Sequence, residues 1–188
     1  MTIKTDPRII RTRKLIMDSF VQLSMKKDFK NITISDITSK ATVNRATFYY
    51  HFTDKYDLLN KVLKEDLMTK VLKEIEKHEK VNHKTITSIF LSIISFQSSL
   101  SSQCKKSFEA FSTTIENVIK KELEKVFYQM LMKETSSENE EVVRAGSVML
   151  SWGIYGASID WQHNSSMSPE EYINMMMPSL ISGVDKLN

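Results

Sequence analysis

The sequence predicts an all-α protein: an N-terminal three-helix head, a connecting helix, and a larger helical bundle, about nine helices in total. Breakers are scarce, with only four Gly and three Pro in 188 residues. Lys, Glu, Leu, Ile, Met and Ser dominate, a composition that favours helices over a turn-rich sheet. Apolar residues also recur at helical spacing between recognisable start and stop signals.

The first helix starts at Asp6-Pro7, where a carboxylate can cap free N–H groups and proline is preset for the first turn. Ile9, Ile10, Ile16, Met17, Phe20, Val21 and Leu23 carry it to about Lys27, and residues 28–31 break the pattern. Thr33 caps a short second helix with apolar Ile34, Ile37 and Ala41, and Asp36 stands where a capping box needs an acid. After Thr42 and Val43, Asn44 caps a third short segment containing Ala46, Thr47, Phe48, Tyr49 and Tyr50. Phe48 and Phe52 should point inward. Thr53 and Asp54 open the connecting helix, whose stripe of Leu58, Leu59, Val62, Leu63, Met68, Val71, Leu72 and Ile75 ends near Glu76.

Beyond the polar stretch His78 to His83, helices are expected at Lys84 to Leu100, Gln103 to Phe111 and Thr113 to Lys133. Glu134 to Glu141 reads as a loop and Val142 to His163 as a helix. Ser168-Pro169-Glu170-Glu171 starts the last helix, which runs to about Val184. Pro178 falls inside that helix, so it either kinks or divides into two pieces. The expected domains are 1–53 (head), 54–76 (connecting helix) and 77–188 (bundle).

Charge is uneven. Residues 1–60 hold 11 Lys/Arg against 6 Asp/Glu, and the remaining chain 15 against 17. That suits a head that meets phosphates, although a lysine-rich solvated helix face gives the same count. One cysteine, Cys104, excludes an intrachain disulfide and a Cys-rich zinc site, and the four histidines show no ligand spacing, so neither metal nor cofactor is expected. No Gly-rich phosphate loop appears, and Cys104 has no neighbouring His, so the sequence does not read as an enzyme. The charged N-terminal segment lacks a signal-type apolar run and no later stretch has the length of a membrane span, which predicts a cytoplasmic protein.

Thr33-Ile34-Ser35-Asp36-Ile37-Thr38, Ala41-Thr42-Val43-Asn44-Arg45-Ala46-Thr47-Phe48-Tyr49-Tyr50-His51-Phe52-Thr53-Asp54-Lys55 and Leu58-Leu59 together resemble the N-terminal domain of the TetR (tetracycline repressor-like) family. The resemblance implies a helix-turn-helix, with the Asn44 to His51 segment entering the major groove. It makes Thr33, Asn44, Arg45, Ala46, Thr47, Tyr49, Tyr50, His51 and Lys55 the DNA-binding residues. Arg45 suits either a bidentate bond to guanine or a phosphate contact. Tyr49 and Tyr50 can send hydroxyls to phosphates. By resemblance Thr33 and Lys55 hold the DNA backbone, and Thr33 equally suits a pure cap. His51 reads first as scaffold, with a pH switch as the sharper alternative. The sequence departs from the family pattern at Thr42, usually Gly, and at Asn44, often Ser. A β-branched residue disfavours positive φ, so the turn is expected to differ slightly from the family norm.

Trp152-Gly153-Ile154-Tyr155-Gly156, Trp161 and Ser168-Pro169-Glu170-Glu171-Tyr172 look like one common C-terminal subtype of that family. The resemblance implies a homodimer through the last two long helices, with Gly146, Gly153, Gly156, Ala157, Met175 and Leu180 as interface residues. Close packing within one chain is the alternative use of such small residues. Two reading helices must also reach major grooves about one turn apart, which calls for a two-fold dimer on a near-palindromic operator. Phe90, Phe96, Phe108, Phe111, Phe127, Tyr128, Met130, Trp152 and Tyr155 could line an effector pocket, or could be ordinary core. The expected function is a sequence-specific regulator, a repressor released from double-stranded operator DNA by a small-molecule effector. The alternative is a regulator whose bundle is controlled by a protein partner.

Overall fold

The computed structural model describes residues 6–134 and 140–185, apart from residues 68, 70, 72, 76 and 77. Among the described residues the regular elements are helical: α1 Pro7–Ser24, a 3-10 turn Phe29–Asn31, α2 Ile34–Lys40, α3 Arg45–His51, α4 Lys55–Leu67, α5 Lys73–Ile75, α6 His83–Gln103, α7 Phe108–Glu134, α8 Glu140–Asn164 and α9 Pro169–Asp185. Met68, Leu72 and Glu76 of the expected connecting stripe, and residues 135–139 of the expected loop, lie outside the described residues. The chain divides into two compact units. One is 1–63 with 100–115, and the other is 64–99 with 116–188.

The first unit holds the head. Asp6 caps α1 by accepting from the Arg8 N–H at 2.9 Å. Ile16, Phe20, Phe29, Ile32, Ile37, Phe48, Phe52, Leu58 and Leu59 form its core, each at most 2 % exposed. Into this core comes a segment far away in sequence, the corner between α6 and α7. Phe111 is 2 % exposed. Its ring lies 5.2 Å from that of Phe29, nearly perpendicular, and 6.4 Å from that of Phe20. The fully buried Ser107 hydroxyl reaches the carbonyls of Lys27 at 3.1 Å and Ser24 at 3.4 Å, groups left unpaired where α1 ends. Cys104 is buried against the Ser24 hydroxyl.

Two expectations are corrected here. Gln103 to Phe111 is not a separate helix: α6 continues to Gln103, residues 104–107 turn, and α7 runs unbroken from Phe108. Ser112, which falls between the two expected helices, donates its hydroxyl to the Glu109 carbonyl and stays within the helix. Phe108 and Phe111, expected in an effector pocket, belong to the head unit, where burial against Phe20 and Phe29 commits the Phe111 ring.

The second unit is the bundle. Phe90, Phe96, Phe127 and Met130 are buried in its core, and Phe90 stacks on Tyr172 at 6.2 Å. Glu122, on α7, is nearly buried and receives Lys64 of α4 and Lys125, each at 2.9 Å. The two ammonium groups hold its carboxyl below the usual range against the opposing effect of burial. Helix α8 starts at Glu140, two residues before the expected Val142, and its first turn carries Glu140 and Glu141, which suits the helix dipole. Helix α9 passes through Pro178 as one element.

Trp152 is not part of an enclosed pocket lining, because it is 56 % exposed with the Lys120 ammonium 3.8 Å from its ring centre. Tyr155 is half-buried beside it, and burial followed by the Glu116 charge pushes its phenol up to about 12. Tyr128 lines a cleft of about 400 Å³ between α7 and α8 with Lys125, Gln129 and Arg144. Of the expected interface residues, Gly153 and Leu180 pack on each other within the chain: a Cβ on Gly153 would stand 2.9 Å from Leu180 Cδ2. Ala157 is buried and Gly146 half-buried, whereas Met175 is exposed and a Cβ on Gly156 would meet nothing within 4 Å.

If Phe111 is core to the head, Phe111→Ala should destabilise the head unit by about 3 kcal/mol or more. Hydrogen exchange of α1 amides through a denaturant series would read this. A loss below about 1 kcal/mol would place the ring outside that core.

Candidate nucleic-acid interface

Helices α2 and α3 are seven residues each, too short to persist without caps and packing. Thr33 and Asp36 form the expected capping box: the Asp36 N–H donates to Thr33 Oγ1 at 3.1 Å, and the Thr33 N–H to Asp36 Oδ2 at 2.8 Å. Asn44 caps α3 by accepting from the Thr47 N–H at 2.7 Å and the Thr47 hydroxyl at 2.9 Å. Between them, α2 ends in a paired closure. The Val43 N–H donates to the Thr38 carbonyl at 3.0 Å and the Thr42 N–H to the Ser39 carbonyl at 3.3 Å. This closure places Thr42 at φ 53, left-handed backbone that costs a β-branched residue about 1–2 kcal/mol. The turn therefore keeps a left-handed residue despite the missing glycine.

Helix α3 has two faces. Phe48 and Phe52 point inward as expected, at 0 % and 1 % exposed. Arg45, Ala46, Tyr49 and Tyr50 face solvent, and the Arg45 guanidinium rests 3.4 Å from the Tyr49 hydroxyl. Beside α3 lies a concave surface of about 400 Å³ formed with the start of α1, where Arg8, Ile9 and Thr12 meet Asn44, Ala46, Thr47, Tyr50 and His51. A seven-residue helix with an apolar inner face and a polar, aromatic outer face is shaped to lie against a groove.

Residues 16–62 match the profile of bacterial regulatory proteins, tetR family. This segment, a quarter of the chain, is TetR-like. Within its first third it is 44 % identical over 59 residues to an uncharacterized HTH-type transcriptional regulator, YxbF, of Bacillus subtilis (strain 168). That match covers 31 % of this chain and 16 % of the relative. A TetR-family regulator from Streptomyces coelicolor superposes with a TM-score of 0.63 at 14 % identity, covering 94 % of this chain and 96 % of that one. RolR, solved with resorcinol, superposes at 0.60 and 14 % identity, covering 96 % and 95 %. At such identity the two structures establish the fold: a TetR helix-turn-helix followed by a helical C-terminal domain.

Not every side chain that the TetR resemblance assigns to DNA is placed for it. The Lys55 ammonium is turned inward, donating to the carbonyls of Phe29 at 3.0 Å, Lys30 at 3.2 Å and Ile32 at 3.0 Å, which occupies its three N–H bonds. It also sits 4.7 Å from the Phe29 ring centre. Lys55 thus ties α4 to the 3-10 turn, a role its position in sequence did not disclose. Thr33 donates its hydroxyl proton to Asp36 at 2.8 Å, so its capping reading is the one the geometry fills. His51 is half-buried against Tyr50, and burial, then the Arg13 and Lys61 charges, lower its pKa below the ordinary value. Its imidazole is accordingly neutral near pH 7. Arg8 and Thr12, which the sequence reading did not single out as site residues, line the same concave surface as the start of α3.

Asp36 generates a pH prediction. A hydrogen bond from Lys27, then bonds from Thr33, bring its carboxyl down to about 2 from 3.8. A depressed folded-state pKa contributes stability that is present above pH 3.8 and is lost as pH falls through about 2. Wild-type protein should therefore exceed Asp36→Asn in urea midpoint at mildly acidic pH, with the gap closing towards pH 2. A gap independent of pH would contradict this account of the capping box.

Proposed function

We propose that this chain is a dimeric, sequence-specific DNA-binding regulator that represses from a near-palindromic operator and is released by a small-molecule effector. The observation that carries the DNA-binding part is the outward face of α3: Arg45, Ala46, Tyr49 and Tyr50 stand free of the core while Phe48 and Phe52 fix the helix, inside the segment that matches the family profile. Asn44, Thr47 and His51 border that face, with Arg45 the candidate base reader. Thr33 and Lys55 serve this reading by holding α2 and α4 in place beside α3, their polar groups being taken up within the fold.

A second copy is the occupant proposed for the α8 and α9 surface. Met149, Trp152 and Gly156 lie at i, i+3 and i+7 on one face of α8, with Met149 74 % and Trp152 56 % exposed. Met175 adds an exposed apolar side chain on α9. The open space at Gly156 permits close helix approach, and two-fold pairing is what a two-half-site operator demands. Release by an effector is supported by the aromatic and Met-rich body and by RolR having been solved with resorcinol, a property of that protein.

Binding to a duplex from the DNA flanking its own gene should be tight and steeply salt-dependent. Arg45→Ala should weaken it by about 1–3 kcal/mol and relax preference at one base position. Equal affinity for that duplex, for selected sequences and for random DNA would overturn sequence-specific reading. For the dimer, Gly156→Leu should leave helicity unchanged, since a Cβ there meets no atom within 4 Å among the described residues, yet shift sedimentation at micromolar concentration from dimer to monomer. A wild-type protein that sediments as a monomer would contradict the proposal outright.

A further inference from the structure

The concave surface between α1 and α3 contains three hydrogen-bond donors that the fold does not use. Arg8 is exposed, and its guanidinium has no partner among the described residues. The neighbouring Asp6 carboxylate accepts the Arg8 backbone N–H as the cap of α1. Thr12 and Tyr50 line the same surface, and their hydroxyls are likewise without hydrogen-bond partners among the described residues. Arg45, by contrast, already leans on Tyr49, and Lys55 is fully engaged with backbone carbonyls.

We infer that Arg8, with Thr12 and Tyr50, forms a seat for one phosphate of the DNA backbone beside the bases that α3 reads. This rests on the DNA-binding reading above and extends it to a helix outside the helix-turn-helix. The chemistry fits a phosphodiester: a planar guanidinium donates two parallel bonds to phosphate oxygens, and two hydroxyls supply neutral donors around it. The placement fits backbone and not base. Arg8 and Thr12 stand on α1, flanking Asn44 and Thr47 at the start of α3, so DNA lying on the outward face of α3 brings a strand edge to them. Ile9, half-buried in the floor of the surface, gives the sugar an apolar contact.

The test is a salt titration of full-length protein on two labelled duplexes, the selected site and random sequence, for wild type, Arg8→Gln and Arg8→Lys. Arg8→Gln should lower the slope of log affinity against log salt by about one on both duplexes and leave their affinity ratio unchanged. Arg8→Lys should restore the slope, because it keeps the charge. An unchanged slope for Arg8→Gln would overturn the phosphate seat, and a changed affinity ratio would reassign Arg8 to base reading and overturn it as well. Random duplex reports phosphate contacts whether or not α3 reads bases. Loss of site preference in the wild type would therefore count against the regulator reading, while the slopes still decide on Arg8.

Discussion

Helix α3 is seven residues long, and a helix of that length has no stability of its own in water. Everything proposed for this protein depends on the burial of Phe48 and Phe52, which lie four residues apart on one side of α3 and are sealed from solvent. With those two rings fixed, the register of the helix is fixed, and Arg45, Ala46, Tyr49 and Tyr50 have no choice but the opposite side. The cations Arg13 of α1 and Lys61 of α4 stand 5.6 Å and 5.2 Å from the Phe52 ring centre, so the anchoring ring is also where basic charge gathers.

The surrounding devices hold that arrangement from several directions. Asn44 caps the start of α3, the capping box fixes α2, and Thr42 is kept in left-handed backbone by the two bonds that close α2. Such a strained residue persists only where its surroundings over-determine it. Lys55 draws α4 onto the 3-10 turn, and the corner of α6 and α7 inserts Phe111 and Ser107 at the end of α1. A polar contact to orphaned carbonyls and an aromatic contact to the core thus join a piece of chain some eighty residues distant to the head.

Local physics made the head legible in the sequence. Caps such as Asp6, Thr33, Asn44 and Ser168 were readable because capping is a relation between residues two or three apart. Inward Phe48 and Phe52 followed from helical spacing and the family pattern. The misreadings concern relations across long separations. Nothing near Lys55 showed that its ammonium would meet carbonyls of residues 29–32, and nothing near Phe111 showed that its partners are Phe20 and Phe29. Gly153 and Gly156 look alike in sequence, yet one touches Leu180 and the other faces open space. Periodicity places a residue on a face of its helix and does not say which neighbour covers that face.

The measurement that tests the central claim most directly is hydrogen exchange of the full-length protein with and without an operator duplex. Slowed exchange confined to α3 and the start of α1, with the bundle unchanged or altered only through the head, is the predicted result. Protection that instead falls on α8 and α9, or is absent from α3 at saturating DNA, would contradict the account.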